Sequence, residues 1–107
     1  MDDWRKVLLT PQDSLERAVK VLHEGGCRIA LVADKFGMLL GTVTDGDIRR
    51  ALINQLTMES SVSLIMNGNP ITVDDKVKNK DILSLMSDKS LLHMPIIDKD
   101  GILCGLE

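Results

Sequence analysis

Between Gly41 and Leu52 the sequence GTVTDGDIRRAL sets two threonines, two aspartates and two arginines ahead of an apolar run. Three chemistries suit those residue types. Thr44 and Asp47 hold the spacing of a capping box, each satisfying a free N–H at the start of a helix that carries Ile48, Ala51 and Leu52. A strand entering that helix through glycine-containing backbone also offers free N–H groups and a positive dipole end to an anion. Thr44 would add a hydroxyl donor beside a phosphate, and Asp47 could accept from two vicinal sugar hydroxyls. A cation would need more ligands: Asp45 and Asp47 find no neighbouring histidine or third acid. DKDG at 98–101 starts like a calcium loop but lacks the later ligands. The stretch reads as a helix start and a ribose-phosphate grip together, and no metal is expected.

An internal repeat supplies the frame for these residues. LVADKFGMLLG (31–41) aligns without a gap to PIIDKDGILCG (95–105), so that Asp34, Gly37 and Gly41 recur sixty-four positions on as Asp98, Gly101 and Gly105. Upstream, residues 8–22 and 70–86 both read as short strand, polar turn and amphipathic helix. In the first unit Asp13 and Glu16 are spaced as a capping box. Leu15, Ala18, Val19 and Leu22 then hold the helical period up to Gly25 and Gly26. RIALVA and MLLGTV read as strands joined by a DKFG hairpin turn, and DGDIRRALINQL as a second helix. The unit is β-α-β-β-α over residues 1–56, with a linker at 57–69 and a second copy at 70–107. That copy is expected to lack its final helix, and the parent protein to be longer.

Composition narrows the functions. Aromatic content of 2% and a net charge of −3 leave little for stacking on bases or tracking a phosphate backbone, so nucleic acid is not an expected partner. No apolar run reaches membrane-spanning length, and the N-terminus lacks the pattern of a signal peptide. Cys27 and Cys104 lie outside any CxxC and read as reduced, partly buried thiols of a cytoplasmic protein.

The duplicated unit, with Gly41, Thr44, Asp47 and Ile48 in a strand-to-helix signature, resembles a tandem pair of CBS domains (a Bateman module) along essentially the whole chain. The resemblance implies an α+β fold of two repeats about a pseudo-twofold axis. It also implies a non-catalytic regulatory role with an adenine nucleotide (AMP, ADP or ATP) in the cleft. Carried over, the grip is Thr42, Thr44 and Asp47, with Asp47 on the ribose hydroxyls, Thr44 at the phosphate and Thr42 contributing mostly backbone. The adenine wall would be Pro70, Ile71 and Thr72, with Leu92, His93 and Met94. A mirror site would use Thr10, Pro11, Arg28, Ile29 and Ala30 but would lack its grip, so one competent site is expected. Such pairs commonly form homodimers through their helices. DWRKVLLTP, TDGDIRR and GLE look like the pair preceding a sugar-nucleotide nucleotidyltransferase domain. TDGD followed by an aliphatic residue and two arginines also resembles the pair attached to sugar-phosphate isomerases. The first is preferred because the isomerase type usually completes its second repeat.

Plainer readings stand beside these. His93 in an alternating strand is an ordinary half-buried histidine, and His23 a surface residue. Met66, Met86 and Met94 are core filler, though Met94 could pack on a purine. Arg49 and Arg50 read as solvated helix charges in preference to phosphate ligands. A ligand-independent dimerisation module is the alternative of another class. A small enzyme built on Asp45, Asp47 and His93 lacks any nucleophile, base and orienter arrangement.

Overall fold

The structure, a computed structural model, describes residues 4–25, 28–88 and 93–107. The first repeat contains β1 (Leu8–Leu9), α1 (Leu15–Gly25), β2 (Ile29–Ala33), β3 (Leu39–Thr44) and α2 (Asp45–Ile53). The second contains β4 (Val73–Asp74), α3 (Asn79–Asp88), β5 (Pro95–Ile97) and β6 (Leu103–Leu106). Two mixed sheets result, β1-β2-β3 and β4-β5-β6, each with a parallel and an antiparallel pair. This is the α+β architecture expected. Every residue of β2 is buried, as suits a central strand covered on both faces.

The repeat extends to hydrogen-bond register. Leu9 opposes Val32 as Val73 opposes Ile96, and both hairpins bulge at the same place, between Val32 and Ala33 and between Ile96 and Ile97. In each turn one aspartate oxygen takes two backbone N–H groups: Asp34 from Phe36 and Met38 (2.8 and 3.0 Å), Asp98 from Asp100 and Ile102 (2.8 and 3.0 Å). Gly37 and Gly101 then sit at φ 88° and 83°, a region costly for any residue with a Cβ. The hairpins also bond to each other. Leu39 donates to the Gly101 carbonyl (3.1 Å) and Leu103 to the Gly37 carbonyl (2.9 Å), a symmetric exchange that marks the pseudo-twofold axis. Leu103 and Leu106 of β6 join the main core with Leu9, Leu31 and Val43, whereas Val73, Ile82, Met86 and Met94 form a smaller one.

Several local expectations change. Asp13 does not cap α1: its carboxylate takes the Thr10 N–H (2.8 Å) and closes the turn at Pro11. Ser14 takes the Arg17 N–H (3.2 Å) instead. Val21, not Val19, joins Leu15, Ala18 and Leu22 on the buried face. The second helix stops at Ile53 rather than Leu56, because Gln55 turns the chain at φ 69°. Gly26 and Cys27 lie outside the described residues.

Residues 57–69 pack as part of the first repeat. Ser60 and Met58 carbonyls accept the Leu15 and Glu16 N–H groups (2.9 and 3.0 Å), which a helix start otherwise leaves unpaired. Val62 is fully buried and donates its N–H to the Asp13 carbonyl (2.8 Å).

Cys104 is exposed rather than partly buried, because it is the extra residue at the β6 bulge. Local desolvation, then the carboxylates of Asp75, Asp98 and Asp74, push its thiol pKa up, with Asp75 Oδ2 3.9 Å from the sulfur. In a Cys27→Ser background, alkylation at pH 8 should therefore run slower than for an ordinary thiol and accelerate as pH rises further. Asp75→Asn should speed it at pH 8. A methyl on residue 101 would meet Met38 Cγ at 3.9 Å, so Gly101→Ala tests backbone strain alone; thermal melts should register a loss of about 1–2 kcal/mol.

Candidate functional site

A cavity of about 450 Å³ opens where the C-terminal end of β3 and the start of α2 face the second repeat. Thr42, Thr44, Asp45 and Gly46 line one side, Pro70, Ile71, His93 and Pro95 the other, with Arg28, Ile29 and Asn67 between. The two repeats thus contribute to one site.

Strand geometry decides which residues reach it. His93 and Pro95 alternate with Met94, so Met94 points away from the cavity and is 1% exposed against Val73, Ile82 and Met86. It is core, not adenine wall. Thr72 is half-buried and stands outside the lining, while Pro70 and Ile71 belong to it. Leu92 lies outside the described residues.

Thr42 and Thr44 differ in which hydrogen-bonding groups they leave free. The Thr42 N–H and carbonyl are both taken by Asn67 (3.1 and 2.8 Å), so its backbone is not available to a ligand. The residue is 4% exposed and lines the cavity, and its hydroxyl makes no hydrogen bond to any described residue. Thr44 is the N-cap of α2: its hydroxyl accepts from the Asp47 N–H (3.4 Å) and donates to Asp47 Oδ2 (3.1 Å). Asp47 Oδ2 also receives the Thr44 N–H (2.9 Å), completing the capping box. The free hydroxyl is therefore that of Thr42.

Asp47 sits just behind the lining, its side chain 12% exposed, and its second oxygen accepts from Arg50 Nη2. Arg50 thus holds an ion pair, neither merely solvated nor aimed at a phosphate. Arg28 and Ile29, assigned from sequence to the mirror site, line this cavity. Of the other residues of that set, Ala30 is fully buried, the Pro11 carbonyl accepts from Ser61 and Ser63, and Thr10 lines a separate cleft beside Trp4.

Asn67 escaped the sequence reading, and Asp45 was weighed there only as a metal or acid-base group, not as a wall of this cavity. The outer edge of β3 needed a partner for the Thr42 N–H, and the NGN at the end of residues 57–69 supplies it. Among the described residues, no group of three histidine, cysteine, aspartate or glutamate side chains is placed to hold a metal ion, and no helix is long and apolar enough to cross a membrane.

A paired repeat with this strand-to-helix site is matched by one family: the CBS domain, at residues 4–54 and again at 61–106. The chain is a pair of CBS domains. It is 30% identical over 99 residues to an uncharacterised protein of Rickettsia prowazekii, covering 92% of this chain and 30% of that protein. Arabinose 5-phosphate isomerase GutQ of Salmonella typhi is 29% identical over 92 residues, covering 86% of this chain and 29% of the enzyme. The chain thus spans about three-tenths of the length of these curated relatives. Among solved structures, CBSX2 in complex with AMP superposes with a TM-score of 0.79 at 27% identity, covering 92% of this chain and 78% of that one. CBS pairs are in general regulatory and non-catalytic.

In this CBS pair Gly41 is fixed by close approach. A Cβ there would lie 2.7 Å from the Asn67 carbonyl oxygen and 2.8 Å from Met66 Sδ, whereas one on its repeat partner Gly105 would come no nearer than 3.4 Å, to Ile96 Cδ1. Gly41→Ala should therefore lift residues 66–67 off β3 and cost about 1–3 kcal/mol in a thermal melt, more than Gly105→Ala.

Proposed function

We propose that this CBS pair binds an adenine nucleotide in the inter-repeat cavity and transmits its presence to an attached catalytic domain. The observation that carries the reading is Thr42, a residue 4% exposed whose hydroxyl has no protein partner among the described residues and opens on a cavity that both repeats line. A ribose-phosphate would complete it. The Thr42 hydroxyl and the first N–H groups of α2 suit a phosphate, Arg28 supplies positive charge, and His93 adds a ring N–H donor. Asp47 lies within reach of the sugar. Pro70, Ile71 and Ile29 offer apolar surface for a purine. CBSX2, whose structure contains AMP, supports the choice of ligand.

Charge favours the shorter nucleotides. Asp45 faces the same cavity as Arg28, so a lengthening phosphate chain meets a carboxylate as well as a cation. AMP should bind more tightly than ATP.

Of the two parents the sequence resembles, the match to GutQ supports a sugar-phosphate isomerase over a nucleotidyltransferase. Ligand would act by favouring one arrangement of the repeats, and the coupling is limited to the difference in affinity between arrangements. The alternative, homodimerisation without a ligand, draws on Leu52 and Ile53 of α2 and Leu83 of α3, all exposed.

Calorimetric titration with AMP, ADP, ATP and GTP separates the two. Saturable binding of AMP near one per chain, weaker binding of ATP, and loss in Asp47→Ala and Arg28→Ala are expected. No binding by the wild type, together with a dimer that persists on dilution, would replace the sensor with the dimerisation module.

A further inference from the structure

Asp47 has less acceptor capacity than a lone carboxylate. Oδ2 already takes two hydrogen bonds, from the Thr44 N–H and the Thr44 hydroxyl, and Oδ1 takes one from Arg50. A carboxylate offers about four acceptor sites, so one remains, on Oδ1. A vicinal diol presenting two O–H donors therefore cannot be held by Asp47 alone without breaking the cap of α2. The guanidinium resolves this. It stands against the cavity-lining Gly46: a Cβ built on that residue would lie 3.4 and 3.8 Å from Arg50 Nη1 and Nη2. One of five guanidinium N–H donors is engaged by Asp47, which leaves others at the edge of the site.

Building on the proposed nucleotide reading, we propose that Arg50 is a sugar-reading residue: Asp47 Oδ1 accepts from one hydroxyl of the ribose diol while Arg50 donates to the oxygen of the other. An acidic acceptor is thereby turned into an acceptor–donor pair. The pair also cancels the Asp47 charge beside a site meant for an anion, leaving Asp45 as the one acidic side chain among the described lining residues. A ligand lacking either hydroxyl leaves one member of the pair without its partner.

The test is calorimetric titration of wild type and Arg50→Met with AMP, 2′-deoxy-AMP and 3′-deoxy-AMP. Wild type should lose about tenfold in affinity for each missing hydroxyl, as a hydrogen bond to a charged group implies. In Arg50→Met, one deoxy analogue should bind as well as AMP while the other keeps its tenfold penalty. Arg50→Lys, which restores a donor, should recover part of the lost discrimination. Arg50 is 67% exposed, so the variants should melt near wild type. Both penalties unchanged in Arg50→Met would overturn the assignment while leaving nucleotide binding intact. Both penalties falling together would also overturn it, since Arg50 would then only orient Asp47. Absence of AMP binding by the wild type would remove the nucleotide reading itself, and this inference with it.

Discussion

Leu39 gives its N–H to the Gly101 carbonyl and Leu103 gives its own to Gly37, and this reciprocal pair of bonds ties hairpin to hairpin across the pseudo-twofold axis. Neither three-stranded sheet is large enough to bury both its faces unaided. Held in this relation, β6 lends Leu103 and Leu106 to the core of the first repeat, and the end of β3 lies across the cavity from the start of β5. The cavity follows from that convergence. Its walls belong to different repeats, so any change in their relative placement alters the space between Thr42 and His93.

The site itself is shaped by hydrogen bonds already made. The α2 cap uses the Thr44 hydroxyl and one Asp47 oxygen, and residue 67 uses the Thr42 backbone. What remains for a ligand is the complement of those internal demands: the Thr42 hydroxyl, the first N–H groups of the helix, and the free side of Asp47. Stability of the helix start and the proposed binding chemistry therefore draw on the same few atoms, and Arg50 bonds to one of them, Asp47 Oδ1.

The repeat, both hairpins and the α2 capping box were legible because each depends on short-range chemistry: paired glycines at positive φ, aspartates that bond their own turns, and a threonine three residues before an acid. Thr42, Thr44, Pro70, Ile71 and His93, which line one cavity, were named together only through the resemblance to CBS pairs, since no short-range chemistry links residues so far apart in sequence. What was not legible depended on partners distant in sequence. Asp13 matched the capping pattern, but Ser60 and Met58 satisfied the helix start and freed it for the preceding turn. Arg28 was given to the mirror site, because its place just ahead of β2 does not say which cleft it faces. The Met94 side chain went to the small core by strand alternation, a matter of one residue in register.

Residues 57–69 separate the copies in sequence yet serve the first in space. The N-terminus of α1 is closed by carbonyls from Met58 and Ser60, and Val62 fills a place in the core beside Leu9 and Val43. During synthesis the first repeat therefore cannot close its hydrogen bonds when residue 56 leaves the ribosome. It must wait for another ten or so residues, through Asn67, to emerge. Its folding is a long-loop event even though its helices and hairpin are local, and the nascent chain carries an open helix end until that strap arrives.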